Sequence, residues 1–141
     1  MSSFEIDLAK FGQKAVNNAS RFVRKVAFDM HRGCAERCPV DTGRAKANMQ
    51  LNVGRNPGNV TEQKDNTPKG QVGAANIAAA QSGIARFRLG DEITIYNNVE
   101  YIVSLEYGSS PQARAPDGMF RITFHEVVNN LGATAREVSR G

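Results

Sequence analysis

The feature that most constrains the fold is a run of apolar residues near the start of the chain, spaced three and four apart. This spacing puts the side chains on one face of a helix and predicts an amphipathic helix from Leu8 to Cys38. At about 1.5 Å per residue the helix would be roughly 45 Å long, so we expect part of it to protrude. The apolar run consists of Leu8, Phe11, Ala15, Ala19, Phe22, Val23, Val26, Met30 and Cys34.

The other face of this helix is cationic. Such a face is usually solvated, and the alternative is a surface for a partner, for which Arg21, Arg24 and Lys25 are the candidate residues. The net charge of +4 and the pI near 9.3 allow contact with nucleic acid or with an acidic protein surface, and they do not choose between them.

A sharp corner is predicted directly after the helix. Pro39 disfavours helical geometry at Cys38 and so ends the helix there. Asp41 or Thr42 can accept hydrogen bonds from the backbone amides that follow, and Gly43 allows a tight turn. Beyond the corner, residues 49–53 alternate apolar and polar side chains, which predicts a half-buried strand.

Residues 54–83 break the pattern with several glycines and almost no large apolar side chain. A segment of this length is uncommon as a passive connection, so it is either disordered or contacts another surface. Within it, "AANIAAAQ" could form two helical turns on a partner but is too short to be stable alone.

Three further elements are predicted in the second half of the chain. Residues 86–97 alternate around Gly90 and Asp91, which indicates a hairpin. Residues 99–108 favour a short helix capped by Asn97 or Asn98. Apolar residues at helical spacing from Phe120 to Val138 predict a terminal helix.

These elements predict one domain, residues 1–141, of the α+β class. A long N-terminal helix and a C-terminal helix would pack on a small antiparallel β-sheet, with residues 54–83 as a long flexible arm.

His31, Cys34 and Cys38 lie at spacings of three and four, and with His125 they could form a tetrahedral zinc set or a Cys-His nucleophile. The interpretation as core thiols is favoured, because cysteine is among the most buried residue types and Cys34 extends the apolar stripe. We therefore predict no metal site.

The remaining candidates for chemistry are weak. Glu100 and Glu106 on a short helix hint at acid-base catalysis, but surface or interface salt bridges explain them as well. The sequence has no phosphate-binding glycine loop, so we expect no catalytic residue, no cofactor and no enzyme activity. No stretch approaches the roughly 18 apolar residues of a membrane span, and the opening residues lack the pattern of a leader, so we expect neither. The two cysteines suggest a reducing compartment, and synthesis in the cytoplasm is expected.

Three blocks, "CPVDTGRAKAN", "NNVEYIVSLEYGS" and "ARAPDGMF", together resemble the tail-completion family of long-tailed bacteriophages, also called neck or head-tail joining proteins. The chain departs from the family pattern at Ala45, Asn48, Ile102 and 117–119. The matching residues are Pro39, Val40, Asp41, Thr42, Gly43 and Arg44, then Asn97 or Asn98, Tyr101, Glu106, Tyr107 and Gly108, and finally Ala115, Pro116 and Phe120 at the start of the C-terminal helix.

The resemblance implies a structural virion protein of the phage neck, located in the virion after synthesis in the host. It would form a ring, usually of six copies, that joins the DNA-filled head to the tail. The implied partners are other copies of the chain, the head-completion or connector protein, and the tail terminator or tail tube protein. DNA would pass non-specifically through the channel, and no membrane is involved.

Two hypotheses follow from the resemblance. Residues 54–83 would become ordered on assembly, and Arg44 and Glu106 would form an ion pair within one copy or across the ring. Two other functions stay open: a tail terminator or other minor tail protein, and a small basic DNA-binding protein whose affinity would fall steeply with salt.

Overall fold

The computed structural model describes residues 2–40, 42–107 and 118–140, with side chains described from residue 16 to residue 139. It confirms the α+β class, since helices surround a small antiparallel sheet that has two strands within the described residues. The elements in chain order are α1 (Ser2–Glu36), α2 (Arg44–Ala47), β1 (Gln50–Val53), α3 (Ala74–Ile84), β2 (Ile93–Tyr96), α4 (Ile102–Tyr107), α5 (Phe120–Asn129) and α6 (Leu131–Arg140).

Helix α1 is the long helix that the apolar spacing predicts. Its 35 residues extend over roughly 50 Å, and it ends at Glu36, two residues before the predicted end. Burial increases along its length: Val16 is 48% exposed, Ala27 is buried, and Cys34 is fully buried. Among the described side chains of α1, those near its C-terminal end are therefore the most closely packed on the rest of the chain.

The sheet pairs β1 with β2 in antiparallel register, with Leu51 opposite Ile95. The predicted hairpin over residues 86–97 is wrong, because the residues before Gly90 form turns rather than a strand. The Asp91 carboxylate accepts a hydrogen bond from the Arg88 amide at 2.9 Å, and the Asp91 amide donates to the Arg88 carbonyl at 3.0 Å. These contacts close a local turn, and β2 pairs with the distant strand β1 instead.

Residues 54–73 contain no helix or strand, as predicted for a loop, whereas residues 74–84 form α3. This helix packs against β1 and α1, with Ala80 and Ile84 buried. At Gly83 an added Cβ would lie 3.2 Å from Leu51 Cδ2, so the helix and the strand are in close contact. Packing within the chain supplies the stability that such a short helix lacks alone. Whether assembly orders the segment further stays a prediction.

The predicted terminal helix is divided at Asn130 into α5 and α6. Arg37 anchors α5 to the end of α1, because its Nη1 donates to Thr123 Oγ1 at 3.0 Å and its guanidinium pairs with Glu126. The buried apolar cluster at the centre of the fold lies where α1, α2, α4 and the start of α5 meet, and consists of Cys34, Ala35, Cys38, Ala45, Met49, Val99, Leu105 and Met119.

Candidate functional site

The corner after α1 depends on Gly43. Its φ of 84° is left-handed, and an added Cβ would lie 2.7 Å from the Asp65 carbonyl oxygen. Glycine is therefore required both by the backbone conformation and by the contact. Thr42 Oγ1 accepts the Arg44 amide at 3.3 Å, so Thr42 makes one of the predicted turn contacts, and Asp41 lies outside the described residues.

The corner also holds the loop that follows β1. The Gly43 carbonyl accepts hydrogen bonds from two amides: that of Ala47 in α2, at 3.1 Å, and that of Asp65 in the loop, at 2.9 Å. Of the other corner residues, Pro39 is buried and Val40 is exposed.

The second sequence block lies directly against the first. Arg44 Nη1 donates to the Glu100 carboxylate at 3.1 and 3.2 Å, and its guanidinium lies 6.0 Å from the ring centroid of Tyr101. The hydrogen bond to Glu100 raises the pKa of Arg44. Asn97 Nδ2 donates to the Ala45 carbonyl at 2.8 Å, which joins the blocks a second time.

Asn97 and Asn98 have different roles. Asn97 Oδ1 accepts the Val99 amide at 3.2 Å, which closes a turn before α4; because α4 begins at Ile102, Asn97 does not cap the helix as predicted. Asn98 instead exchanges side-chain hydrogen bonds of 2.8 Å with Asn56 and donates to the Asn59 carbonyl at 3.0 Å. The second block therefore binds both the corner and the loop.

Glu106 connects the second block to the start of α5. Although it is only 7% exposed, its carboxylate accepts the backbone amides of Met119 at 2.8 Å, Phe120 at 3.0 Å and Arg121 at 3.2 Å. Arg121 Nε donates to it at 3.0 Å, and the Arg121 guanidinium lies 4.5 Å from the ring centroid of Tyr107. Helix α5 begins at Phe120, while Gly108, Ala115 and Pro116 lie outside the described residues.

This geometry corrects the hypothesis of a pair between Arg44 and Glu106 within one copy. Arg44 pairs with Glu100, and Glu106 pairs with Arg121. The correction has a physical reason: the buried carboxylate is nearest to the free amides of a helix start, which attract negative charge. A pair between Arg44 and Glu106 of different copies stays a prediction.

The charge state of Glu106 follows from two opposing effects. Burial raises the pKa of its carboxyl, but the hydrogen bonds from the amides of Phe120 and Met119 and from Arg121 outweigh burial, so the pKa is lowered. The side chain is therefore an ionised cap on α5.

A second buried charged group was missed by the sequence analysis. Lys46 is fully buried, and its Nζ donates to the carbonyls of Thr67 and Pro68, both at 3.0 Å. Burial lowers the pKa of Lys46, and the nearby Asp65 carboxylate opposes that effect. The pattern around Lys46 carries no signal for this role, because lysine on a helix is normally exposed.

Asp65, which is 8% exposed, was also missed. Its carboxylate accepts the Thr67 hydroxyl at 2.6 Å, the Thr67 amide at 3.1 Å and the Gly73 amide at the start of α3 at 2.9 Å. These hydrogen bonds outweigh burial and lower the pKa of Asp65. The Asp-x-Thr spacing, which is common in side-chain-closed turns, is the signal that could have indicated part of this role.

Asn48 fixes the same loop from the other side. Its Nδ2 donates to the Arg44 carbonyl at 2.8 Å and to the Thr61 carbonyl at 3.0 Å, while its Oδ1 accepts the Thr61 amide at 2.8 Å. At this position the resembled family tends to have serine, which could not make all three contacts.

The candidate metal and nucleophile residues have different surroundings in the structure. Cys34 and Cys38 are fully buried free thiols, which confirms the prediction of core thiols, and burial raises the pKa of both to about 12. His31 is buried, its Nε2 lies 2.8 Å from the Met49 carbonyl, and burial lowers its pKa. His125 is exposed. The described part of the chain contains no group of three or more potential metal ligands.

Much of the cationic face of α1 is engaged within the chain. Arg24 Nη2 donates to the Phe87 carbonyl at 2.8 Å, and its guanidinium lies 6.0 Å from the Phe87 ring centroid. Lys25 pairs with Asp29 at 3.0 Å. Of the three candidate interface cations, Arg21 is the one that lies exposed.

Comparisons with protein families, with curated proteins and with solved structures found no match to this chain. Among the described helices, none has both the length and the apolar character needed to cross a membrane.

Proposed function

We propose that the protein is a structural component of the neck of a long-tailed bacteriophage, where copies form a ring, with six as the expected number, that joins the head connector to the tail. One observation carries the proposal. The first block of the family resemblance lies about fifty residues before the other two, and the described residues of all three meet in one continuous set of contacts through Arg44, Asn97, Glu100 and Glu106.

The nature of these contacts supports a structural role for the blocks. Gly43 shapes the corner, Asn97 ties the second block to α2, and Glu106 caps α5, so these three residues act on backbone groups of the same chain. A set of residues that positions helices relative to each other is suited to presenting rigid surfaces to neighbouring subunits.

The alternative of a DNA-binding protein is disfavoured by the state of the basic face. Arg24 and Lys25 bind groups of their own chain, and those contacts compete with binding to phosphates. A tail terminator, the other alternative, would also form a ring. It differs from the proposed neck protein in the position of that ring within the particle.

Electron microscopy of lysates from a phage or prophage in which this gene is interrupted tests the proposal. We expect DNA-filled heads beside separate, complete tails, and joined particles again when the intact gene is supplied on a plasmid. Overlong or missing tails would replace the joining role with a terminator or tail-assembly role. Normal particles would reject both.

A further inference from the structure

A cavity of about 460 Å³ opens between α1, β1, α3 and the loop that follows β1. Its volume lies within the range of small-molecule sites in proteins, which is roughly 300–1,000 Å³. The lining combines apolar side chains such as Met49 and Leu51 with uncharged polar side chains such as Asn59, Thr61 and Gln63. A mixed lining of this kind suits a ligand that has an apolar part and a few polar groups.

His31 is the residue that α1 contributes to this cavity, and one of its ring nitrogens has no partner. The residue is 1% exposed, and its Nε2 lies 2.8 Å from the Met49 carbonyl oxygen. Because a carbonyl oxygen can only accept, Nε2 carries the proton, and in the neutral ring Nδ1 is then an acceptor. No group in the described part of the chain hydrogen-bonds Nδ1. A buried acceptor without a donor is costly, so Nδ1 needs a donor from elsewhere.

Asn76 on α3 supplies a second acceptor beside the ring. Its Nδ2 donates to the Lys46 carbonyl at 3.0 Å and to the Asp65 carboxylate at 3.4 Å, which fixes the carboxamide and leaves Oδ1 as an acceptor. Burial lowers the pKa of His31, and the Asn76 side chain, which would stabilise a protonated ring, raises it by less. The ring is therefore neutral near pH 7, and neither Nδ1 nor Oδ1 can donate to the other.

The charges around the cavity favour an uncharged ligand. The charged residues that line it are Asp65 and Lys64, one of each sign. The Asp65 carboxylate already accepts hydrogen bonds from Thr67 and Gly73, and the buried Lys46 lies near it. Lys64 is exposed to solvent. The cavity therefore offers a ligand hydrogen-bond acceptors rather than a net charge.

We propose that this cavity binds a small uncharged molecule that has an apolar part and an N–H or O–H donor, such as an alcohol or an amide, with His31 Nδ1 and Asn76 Oδ1 as the acceptors. The apolar part lies against Met49, Leu51 and the alanines of α3. A molecule bound in this way bridges α1 and α3. The inference goes beyond the proposed neck function and does not depend on it, because every contact lies within one copy of the chain.

Three molecules that share a six-carbon ring test the proposal. Cyclohexanol has an O–H donor, cyclohexanone has only an acceptor, and cyclohexylammonium has a charged donor. Each is titrated into ¹⁵N-labelled protein at about pH 8, above the ordinary histidine pKa of 6.5, and the imidazole nitrogens are followed by NMR. The chain has two histidines, and His125→Gln removes the signals of the exposed one.

We expect cyclohexanol to shift the Nδ1 signal of His31 saturably, because Nδ1 gains a hydrogen bond. Cyclohexanone should bind roughly tenfold more weakly, which corresponds to the loss of about one hydrogen bond. Cyclohexylammonium should bind no more tightly than cyclohexanol, since the lining has no net charge to attract it.

Two adjacent positions on α3 provide matched variants. Ala78 and Ala79 are both exposed, and Ala79 lines the cavity whereas Ala78 does not. Ala79→Leu should fill part of the cavity and weaken cyclohexanol binding by roughly tenfold, whereas Ala78→Leu should leave the binding unchanged. Circular dichroism checks that both variants fold. If Ala79→Leu does not fold, the comparison of cyclohexanol with cyclohexanone on the unmodified chain decides alone.

Four results would overturn the proposal. Equal binding of cyclohexanol and cyclohexanone would show that the donor is not recognised, and no response to either would mean that water alone satisfies Nδ1. Tighter binding of cyclohexylammonium would mean that the site takes a cation. Equal weakening by Ala78→Leu and Ala79→Leu would place the binding outside this cavity. None of these results bears on the joining of heads to tails, which the interrupted gene tests separately.

Discussion

Two buried carboxylates, Glu106 and Asp65, perform the same task in different surroundings. Each accepts backbone amides at the start of a helix, Glu106 for α5 and Asp65 for α3. Glu106 also binds Arg121, whereas the further partners of Asp65 are the hydroxyl and amide of Thr67 and the side chain of Asn76. Loss of the first charge leaves three backbone amides without a charged acceptor and breaks the ion pair with Arg121. Loss of the second leaves two amides and the side chains of Thr67 and Asn76 without one, and it removes a negative charge near the buried Lys46.

The difference matters because unpaired buried groups have unequal costs. A buried backbone amide that loses its charged acceptor costs more than a neutral hydroxyl that can rotate to a new acceptor. We therefore expect the start of α5 to depend more on its carboxylate than the start of α3, although the two sites have similar burial.

The largest effect is expected for Glu106→Gln. The change should lower the free energy of unfolding by about 3 kcal/mol, because three amides and the Arg121 guanidinium lose a charged acceptor. Urea denaturation measures it. The control is Glu100→Gln, whose side chain is 74% exposed and should have little effect. Equal losses would show that burial of the carboxylate is not what matters.

A somewhat smaller effect is expected for Gly43→Ala, which disturbs the contact between Gly43 and the loop at Asp65. Alanine would adopt a left-handed conformation and lie 2.7 Å from the Asp65 carbonyl oxygen, so we expect a loss of about 2–3 kcal/mol. Gly58→Ala is the control, since Gly58 has a φ of 78° with no atom near an added Cβ, and it should lose about 1 kcal/mol. A comparable loss at both positions in thermal unfolding would mean that the close contact contributes nothing.

Asp65→Asn tests the weaker carboxylate directly. We expect a loss of about 1.5 kcal/mol, half that of Glu106→Gln, because two backbone amides rather than three lose a charged acceptor and the Thr67 hydroxyl can rotate to another one. Hydrogen exchange should show faster opening of α3 while α5 stays protected. Global destabilisation with no difference between the two helices would refute the comparison.

The smallest effect is expected from acidification toward pH 5. Burial lowers the pKa of His31 in the folded state. Below pH 6.5, the ordinary pKa of histidine, the unfolded chain therefore binds more protons at this residue than the folded chain does, and the free energy of unfolding decreases as the pH falls below 6.5. The lowered pKa values of Glu106 and Asp65 produce a further loss only below their ordinary values of 4.5 and 3.8, as pH falls through the folded values.

Substitution separates these two pH ranges. His31→Gln should remove the first loss and leave the second, whereas His125→Gln, at an exposed position, should leave both. Unfolding midpoints in urea between pH 7 and pH 3 provide the measurement. A profile for His31→Gln that follows the unmodified chain would exclude His31 as the source of the first loss.

The elements that are encoded by a local pattern of residues could be predicted from the sequence. The spacing of apolar residues indicated α1, alternation indicated β1, and the Pro39 to Gly43 corner was predicted to end the helix and turn the chain. The short helix α4 and the terminal helical region were also predicted, although not the division at Asn130. Each of these depends on residues within a few positions of each other, so the necessary information lies in a short stretch of chain.

Contacts between distant residues were decided only by the tertiary structure. The partner of β2 is β1 rather than the preceding residues, α3 is stable because β1 lies beneath it, and Glu106 binds Arg121 instead of Arg44. The sequence around Lys46 is ordinary and the spacing of Asp65 and Thr67 indicates only a local turn, so the burial of Lys46 and Asp65 follows from where the loop crosses α2. The sequence alone determined the faces and ends of its elements, since these are local. Which faces meet was decided by packing and by the need of each buried polar group for a partner.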